Sequence, residues 1–182
     1  MAKVSVVYHS GFGHTQVIAE AVSRGAREVA GTEVNLVPVE QVEQQWAALE
    51  ASDAIIFGTP TYMGSVSAPF KTFMDASART WFEQKWKDKL AAGFTNSGGL
   101  SGDKLNTLQT LAVFAAQHGM LWVGQAETVV PDGVNRLSSY LGVMTQSGNV
   151  PPEQEPGGAD QATGEAFGRR VAQAAARWMR GR

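Results

Sequence analysis

The 182-residue chain contains no cysteine. That excludes disulfides, thiol redox chemistry and cysteine-ligated metal centres. It also lacks a strong charge of either sign: 15 Lys and Arg against 17 Asp and Glu leave a net −2. There is no basic surplus for a nucleic-acid or anionic-membrane partner, and no basic recognition helix. No apolar run reaches the length that crosses a bilayer. Met1-Ala2-Lys3 passes straight into an apolar strand pattern without a signal-peptide core or cleavage site, so a cytoplasmic protein is expected. What remains is an ordinary globular composition, 43% hydrophobic, over a length that suits a single domain spanning 1–182.

Apolar runs and helical patterns alternate along the chain. Strands are expected at 3–8, 33–38, Ala54–Gly58, Leu90–Thr95 and Met120–Val123. Helices are expected at 14–29, Gln41–Leu49, Pro69–Ala78, Asp103–His118 and Gly164–Met179. Residues 130–158, with Pro131, Pro151, Pro152 and Pro156 among several glycines, read as one long loop. Strands that are apolar throughout and separated by helices imply an α/β doubly wound parallel sheet covered on both faces. Such sheets bind ligands beyond the carboxyl ends of their strands.

Three loops meet at that edge. The first, Ser10-Gly11-Phe12-Gly13-His14-Thr15, joins a strand to a helix start, where unpaired N–H groups and the positive end of the helix dipole attract an anion. Gly11 and Gly13 allow close backbone approach, and Ser10 and Thr15 add hydroxyls. The loop has no lysine, so it is not a triphosphate-binding P-loop, nor does it read G-x-G-x-x-G. A monophosphate without a metal is the simplest ligand. The second loop holds Pro60, Thr61, Tyr62, Met63 and Gly64; its aromatic and thioether suit a flat ring. The third holds Asn96, Ser97, Gly98, Gly99 and Asp103. One phosphate loop and two loops for a planar heterocycle describe a flavin mononucleotide (FMN) site.

The runs Ala2-Lys3-Val4, Tyr8, Ser10-x-x-Gly13-His14, Asp53-Ala54-Ile55-Ile56-Phe57-Gly58-Thr59-Pro60-Thr61, Lys71-Thr72-Phe73-x-Asp75 and His118-Gly119-Met120 stand in order along nearly the whole chain. Together they resemble the flavodoxin-like NAD(P)H:quinone oxidoreductases of the tryptophan-repressor-binding-protein (WrbA) type. The resemblance implies a flavodoxin-like five-stranded parallel sheet of order 2-1-3-4-5 with non-covalent FMN. It also implies two-electron transfer from NAD(P)H to a small-molecule quinone, and a homo-oligomer, dimer or tetramer. By position, Ser10, Gly11, Phe12, Gly13, His14 and Thr15 would hold the phosphate. Pro60, Thr61, Tyr62, Met63 and Gly64 would border the ring and ribityl chain. Asn96, Ser97, Gly98, Gly99 and Asp103 would lie at the pyrimidine side, and Trp81 would overhang a neighbouring subunit's flavin. No side chain is required as an acid or base; Gln117 and His118 would at most tune the ring.

This chain departs from that pattern in four places. Tyr62-Met63 stands where the family has Arg-Phe, Gln117-His118 replaces a histidine pair, the family's tyrosine after the fifth strand has no match near Gly124–Thr128, and Val39 to Ser52 is too short for the family's insertion. These bear on nicotinamide preference, acceptor and assembly more than on FMN. Trp81, Phe82 and Trp86 are expected as an exposed interface. A one-electron carrier between protein partners is the alternative activity. Such carriers are usually strongly acidic, and a charge of −2 argues against that role.

Overall fold

The computed structural model describes residues 1–181. Its elements run β1 (Ala2–Tyr8), α1 (His14–Arg27), β2 (Thr32–Pro38), a 3-10 turn (Val39–Gln44), α2 (Trp46–Glu50), β3 (Ala54–Tyr62) and β4 (Ser65–Val66). They continue α3 (Ala68–Ala76), α4 (Ala78–Phe82), β5 (Leu90–Ser97), α5 (Lys104–Gln117), β6 (Leu121–Trp122), β7 (Val143–Gln146) and α6 (Gly158–Arg180). The main sheet is parallel in the order β2-β1-β3-β5, with β6 and β7 both pairing beyond β5. This is the flavodoxin-like order that the family resemblance implies.

Two-residue alternation along each strand divides the apolar side chains between two layers. Val4, Val6, Ala54, Ile56, Ala92 and Phe94 face α1 and α6. Val7, Ile55, Phe57 and Ala91 face Phe70 and Phe73 of α3 and Leu108, Leu111 and Phe114 of α5. Helices α1 and α6 cross at backbone contact: a Cβ on Gly25 would lie 1.9 Å from the Glu165 carbonyl oxygen, and one on Gly168 1.9 Å from that of Val22. Only glycine permits that approach.

The structure corrects several boundaries. The fifth strand position is filled in two pieces: β6 pairs with Leu90–Ala91, and β7, inside the expected long loop, pairs with Phe94–Ser97. Helix α6 begins at Gly158 rather than Gly164. Its first turns are buried through Asp160 and Thr163, so they carry no apolar periodicity. The expected helix 69–78 breaks at Ser77, whose hydroxyl donates to the Met74 carbonyl at 2.7 Å. Trp86 is fully buried, not exposed: it packs against Trp46, Phe57, Phe73, Phe114 and His118.

Candidate functional site

A cleft of about 460 Å³ opens at the carboxyl ends of β1, β3 and β5. Its first wall is the loop between β1 and α1. Gly13 occupies the left-handed region (φ 88°) just before α1. The Gln16 N–H donates to Ser10 Oγ (3.1 Å) and the Val17 N–H to the Gly13 carbonyl (3.1 Å). The N–H groups of His14 and Thr15 have no acceptor in the chain, as expected of a first helical turn. Thr15 lines the cleft at only 2% exposure, and its hydroxyl is likewise unbonded. These donors point to an anion.

The second wall is the end of β3. Pro60 and Tyr62 line the cleft. Tyr62 packs edge-on to Phe12 at 6.3 Å, and burial raises its phenol pKa. The pairs Thr61↔Val66 and Tyr62↔Ser65 close a two-residue hairpin whose tip is Met63-Gly64, both in the left-handed region (φ 48° and 85°). Met63 is fully exposed at that tip. Thr61 does not line the cleft: its hydroxyl is buried against those of Thr95 and Thr107, each at 2.8 Å. It supports the wall from behind.

The third wall is the end of β5. Asn96 is 4% exposed. Its Oδ1 accepts from Thr145 (2.8 Å) and Ser147 (3.1 Å), which leaves its Nδ2 unpaired at the cleft. Ser97 and Gly98 complete this wall, while Gly99 lies beyond it on the exposed turn. Asp103 occupies the cap position of α5 without a side-chain cap bond. Sequence reading missed a fourth wall. Residues 147–152 form a strap across the phosphate loop, with Pro152 packed over Gly13 and the Val150 carbonyl 2.7 Å from His14 Nε2. The only signal for it was the proline-rich run after Gln146, which looks like any long loop.

No Lys, Arg, Asp or Glu lines this cleft. A phosphate held here would be met by amide hydrogens, a hydroxyl and the helix dipole. With a flat aromatic wall and a free amide donor at the opposite end, the residues present fit FMN.

Trp81, Gln117 and His118 are not part of the cleft. They line a separate groove of about 530 Å³ between α3, α4 and α5. Within one chain, therefore, Gln117 and His118 do not reach a ligand at the phosphate loop. His118 is buried between Trp86 (4.4 Å) and Phe114 (4.8 Å). Its Nε2 is 2.9 Å from Ser77 Oγ, its Nδ1 has no partner, and burial pushes its pKa down to about 4. His9 is bonded through Nδ1 to Ser67 Oγ (2.8 Å). Burial lowers its pKa, with Glu40 opposing. Among the described residues no group of His, Asp and Glu is placed to hold a metal, and no helix is long and apolar enough to cross a membrane.

Residues 30–135 match the model of the family described as NADPH-dependent FMN reductase. The chain is 38% identical over 182 residues to a protein named flavodoxin FldP from Pseudomonas aeruginosa, covering 94% of this chain and 96% of that one. It is 32% identical over 198 residues to an NAD(P)H dehydrogenase (quinone) from Archaeoglobus fulgidus, covering 96% and 98%. The crystal structure of a flavodoxin, WrbA-like protein from Agrobacterium tumefaciens superposes with a TM-score of 0.81 at 45% identity over 97% of this chain and 99% of that one. The chain belongs to the NADPH-dependent FMN reductase family, an oxidoreductase family, and has a flavodoxin-like fold.

Proposed function

We propose that this protein is an FMN-dependent NAD(P)H:quinone oxidoreductase. The observation that carries this reading is the pairing, in one uncharged cleft, of an anion-binding helix start with an aromatic and amide-lined ring site. Similarity to a protein named NAD(P)H dehydrogenase (quinone) supports the donor and acceptor classes.

Bound FMN supplies the hydride and electron chemistry. The chain's residues supply placement. The N–H groups of His14 and Thr15 and the Thr15 hydroxyl would hold the phosphate, with Ser10 pinning the loop through Gln16. Thr145 and Ser147 fix Asn96 so that its Nδ2 serves as a donor. Phe12 and Tyr62 would bound a flat ring, and the Ser147–Pro152 strap would cover the phosphate end. The uncharged walls leave the open face suited to neutral quinones and offer no side-chain cation to single out a nucleotide's extra phosphate. No lining residue acts as an obligatory acid or base.

The exposed Trp81, Phe82 and Val113 beside the second groove support a homo-oligomer, dimer or tetramer, in which Trp81 extends toward a neighbour's cleft. Size-exclusion chromatography with light scattering tests the assembly. The alternative, a one-electron carrier, is suggested by the similarity to a protein named flavodoxin and opposed by the net charge of −2. Steady-state NADH or NADPH oxidation with benzoquinone separates the two: rapid turnover supports the reductase, and none supports the carrier.

A further inference from the structure

Lys104 is the one fully buried lysine among the described residues. It opens α5, and its side chain folds back under the turn after β5. Its Nζ donates to the carbonyls of Gly99 and of Leu100, the latter at 3.1 Å. The preceding carbonyl, that of Gly98, accepts from Gln146 Nε2 at 3.2 Å. Three consecutive carbonyls of the glycine turn are therefore tied down. A trans peptide sets C=O and N–H on opposite sides. The N–H groups of Gly99, Leu100 and Ser101 thus point away from Lys104 and Gln146, and none of them is bonded within the chain. Gly98, one residue earlier, lines the cleft.

A buried ammonium is costly unless it is paired, and an apolar residue would fill the same space without that cost. Here no carboxylate bonds it directly. Burial lowers its pKa to about 8; Asp160 of α6 and Asp103 at the cap attract it, and Arg136 from the segment between β6 and β7 repels it. Asp160 itself is taken up by Arg136 and the Gln146 N–H. The hydrogen bonds of this charge go to the turn alone. No Lys or Arg lines the cleft, and Lys104 is a buried positive charge under the turn that continues from the cleft residue Gly98.

We propose that Lys104 is a positioning residue for the ring end of the cleft: it sets the 98–101 turn with its amide hydrogens free for the ligand, and its charge favours the electron-rich reduced cofactor over the oxidised one. The proposal rests on the FMN reading above.

The test compares wild type, Lys104→Arg, Lys104→Gln and Lys104→Met. FMN affinity of each apoprotein is read by fluorescence quenching. The midpoint potential of bound FMN is read at pH 7 against a reference dye. Gln and Met are expected to lose at least tenfold more affinity for reduced than for oxidised FMN. That is a fall of about 30 mV or more in the two-electron potential. Arg is expected to stay within threefold of wild type, or about 15 mV. In wild type, loss of the Lys104 charge should make the potential fall more steeply with pH above about 8 than below it. Potentials unchanged in Gln and Met, even with weaker FMN binding, overturn the proposal and leave a purely structural lysine. Should neither neutral variant fold, an unbroken pH dependence in wild type overturns it equally. Wild-type apoprotein that takes up no FMN overturns the site reading instead, before any variant is compared.

Discussion

His14 Nε2 donates to the Val150 carbonyl at 2.7 Å, joining the first turn of α1 to a strap 136 residues later in the chain. With Pro152 packed on Gly13, this holds the strap over the loop between β1 and α1. Replacing His14 by Ala removes the tether and leaves the fold. One hydrogen bond of about 1 kcal/mol sets the scale. FMN affinity is expected to drop about fivefold, through faster dissociation, in a stopped-flow displacement measurement.

Thr15 tests the phosphate assignment. Its hydroxyl is unbonded at the cleft floor, next to free N–H groups. Thr15→Val keeps shape and removes the donor. FMN affinity is expected to fall about tenfold, the scale of a hydrogen bond to a charged group, while riboflavin affinity stays within twofold. Equal losses for both ligands would move the phosphate elsewhere. Titration calorimetry of the apoprotein reads both.

His118 makes stability depend on pH. Its folded pKa, about 4, lies below the ordinary histidine value of 6.5 because burial disfavours the charged ring. Between those values the unfolded chain binds the proton that the folded chain refuses. Stability is therefore full above about pH 6.5 and is lost as pH falls toward 4, by at most about 3 kcal/mol from this residue. His9, also lowered by burial, acts in the same direction. Urea midpoints at pH 7 and 4.5 should differ less in His118→Phe than in wild type.

Arg136 and Asp160 form a two-pronged pair (2.6 and 2.8 Å) in which the carboxylate also accepts the Gln146 N–H at 2.8 Å. The pair ties β7 and α6 to the segment between β6 and β7. Arg136→Ala strands a carboxylate whose side chain is 2% exposed. A loss of about 3 kcal/mol is expected in equilibrium unfolding. Arg136→Lys is expected to recover only part of it, because an ammonium cannot supply the two parallel bonds.

The strands of the sheet and part of three of the four cleft walls were legible because their signals are local, while the strand order was what the family resemblance implied. Apolar runs such as Ala54–Phe57 mark strands, and Ser10-x-x-Gly13-His14-Thr15 marks a strand-to-helix loop. What escaped depends on contacts distant in sequence. Val143–Gln146 is a strand only because β5 offers it an edge. The start of α6 is buried by a carboxylate and a hydroxyl, so no apolar stripe marks it. Thr61 alternates inward by the strand's own period, away from the cleft it was expected to border. Trp86 sits between helical and strand patterns that say nothing of burial, yet it centres the aromatic cluster. Lys104 reads as an ordinary first-turn charge until the turn it holds is seen.

The most direct measurement is anaerobic. The FMN-loaded protein is mixed with NADH or NADPH while the visible flavin band is followed, and benzoquinone is then added. Bleaching within seconds and recovery on quinone addition are the expected result. Bound flavin that neither nucleotide reduces would contradict the reductase reading.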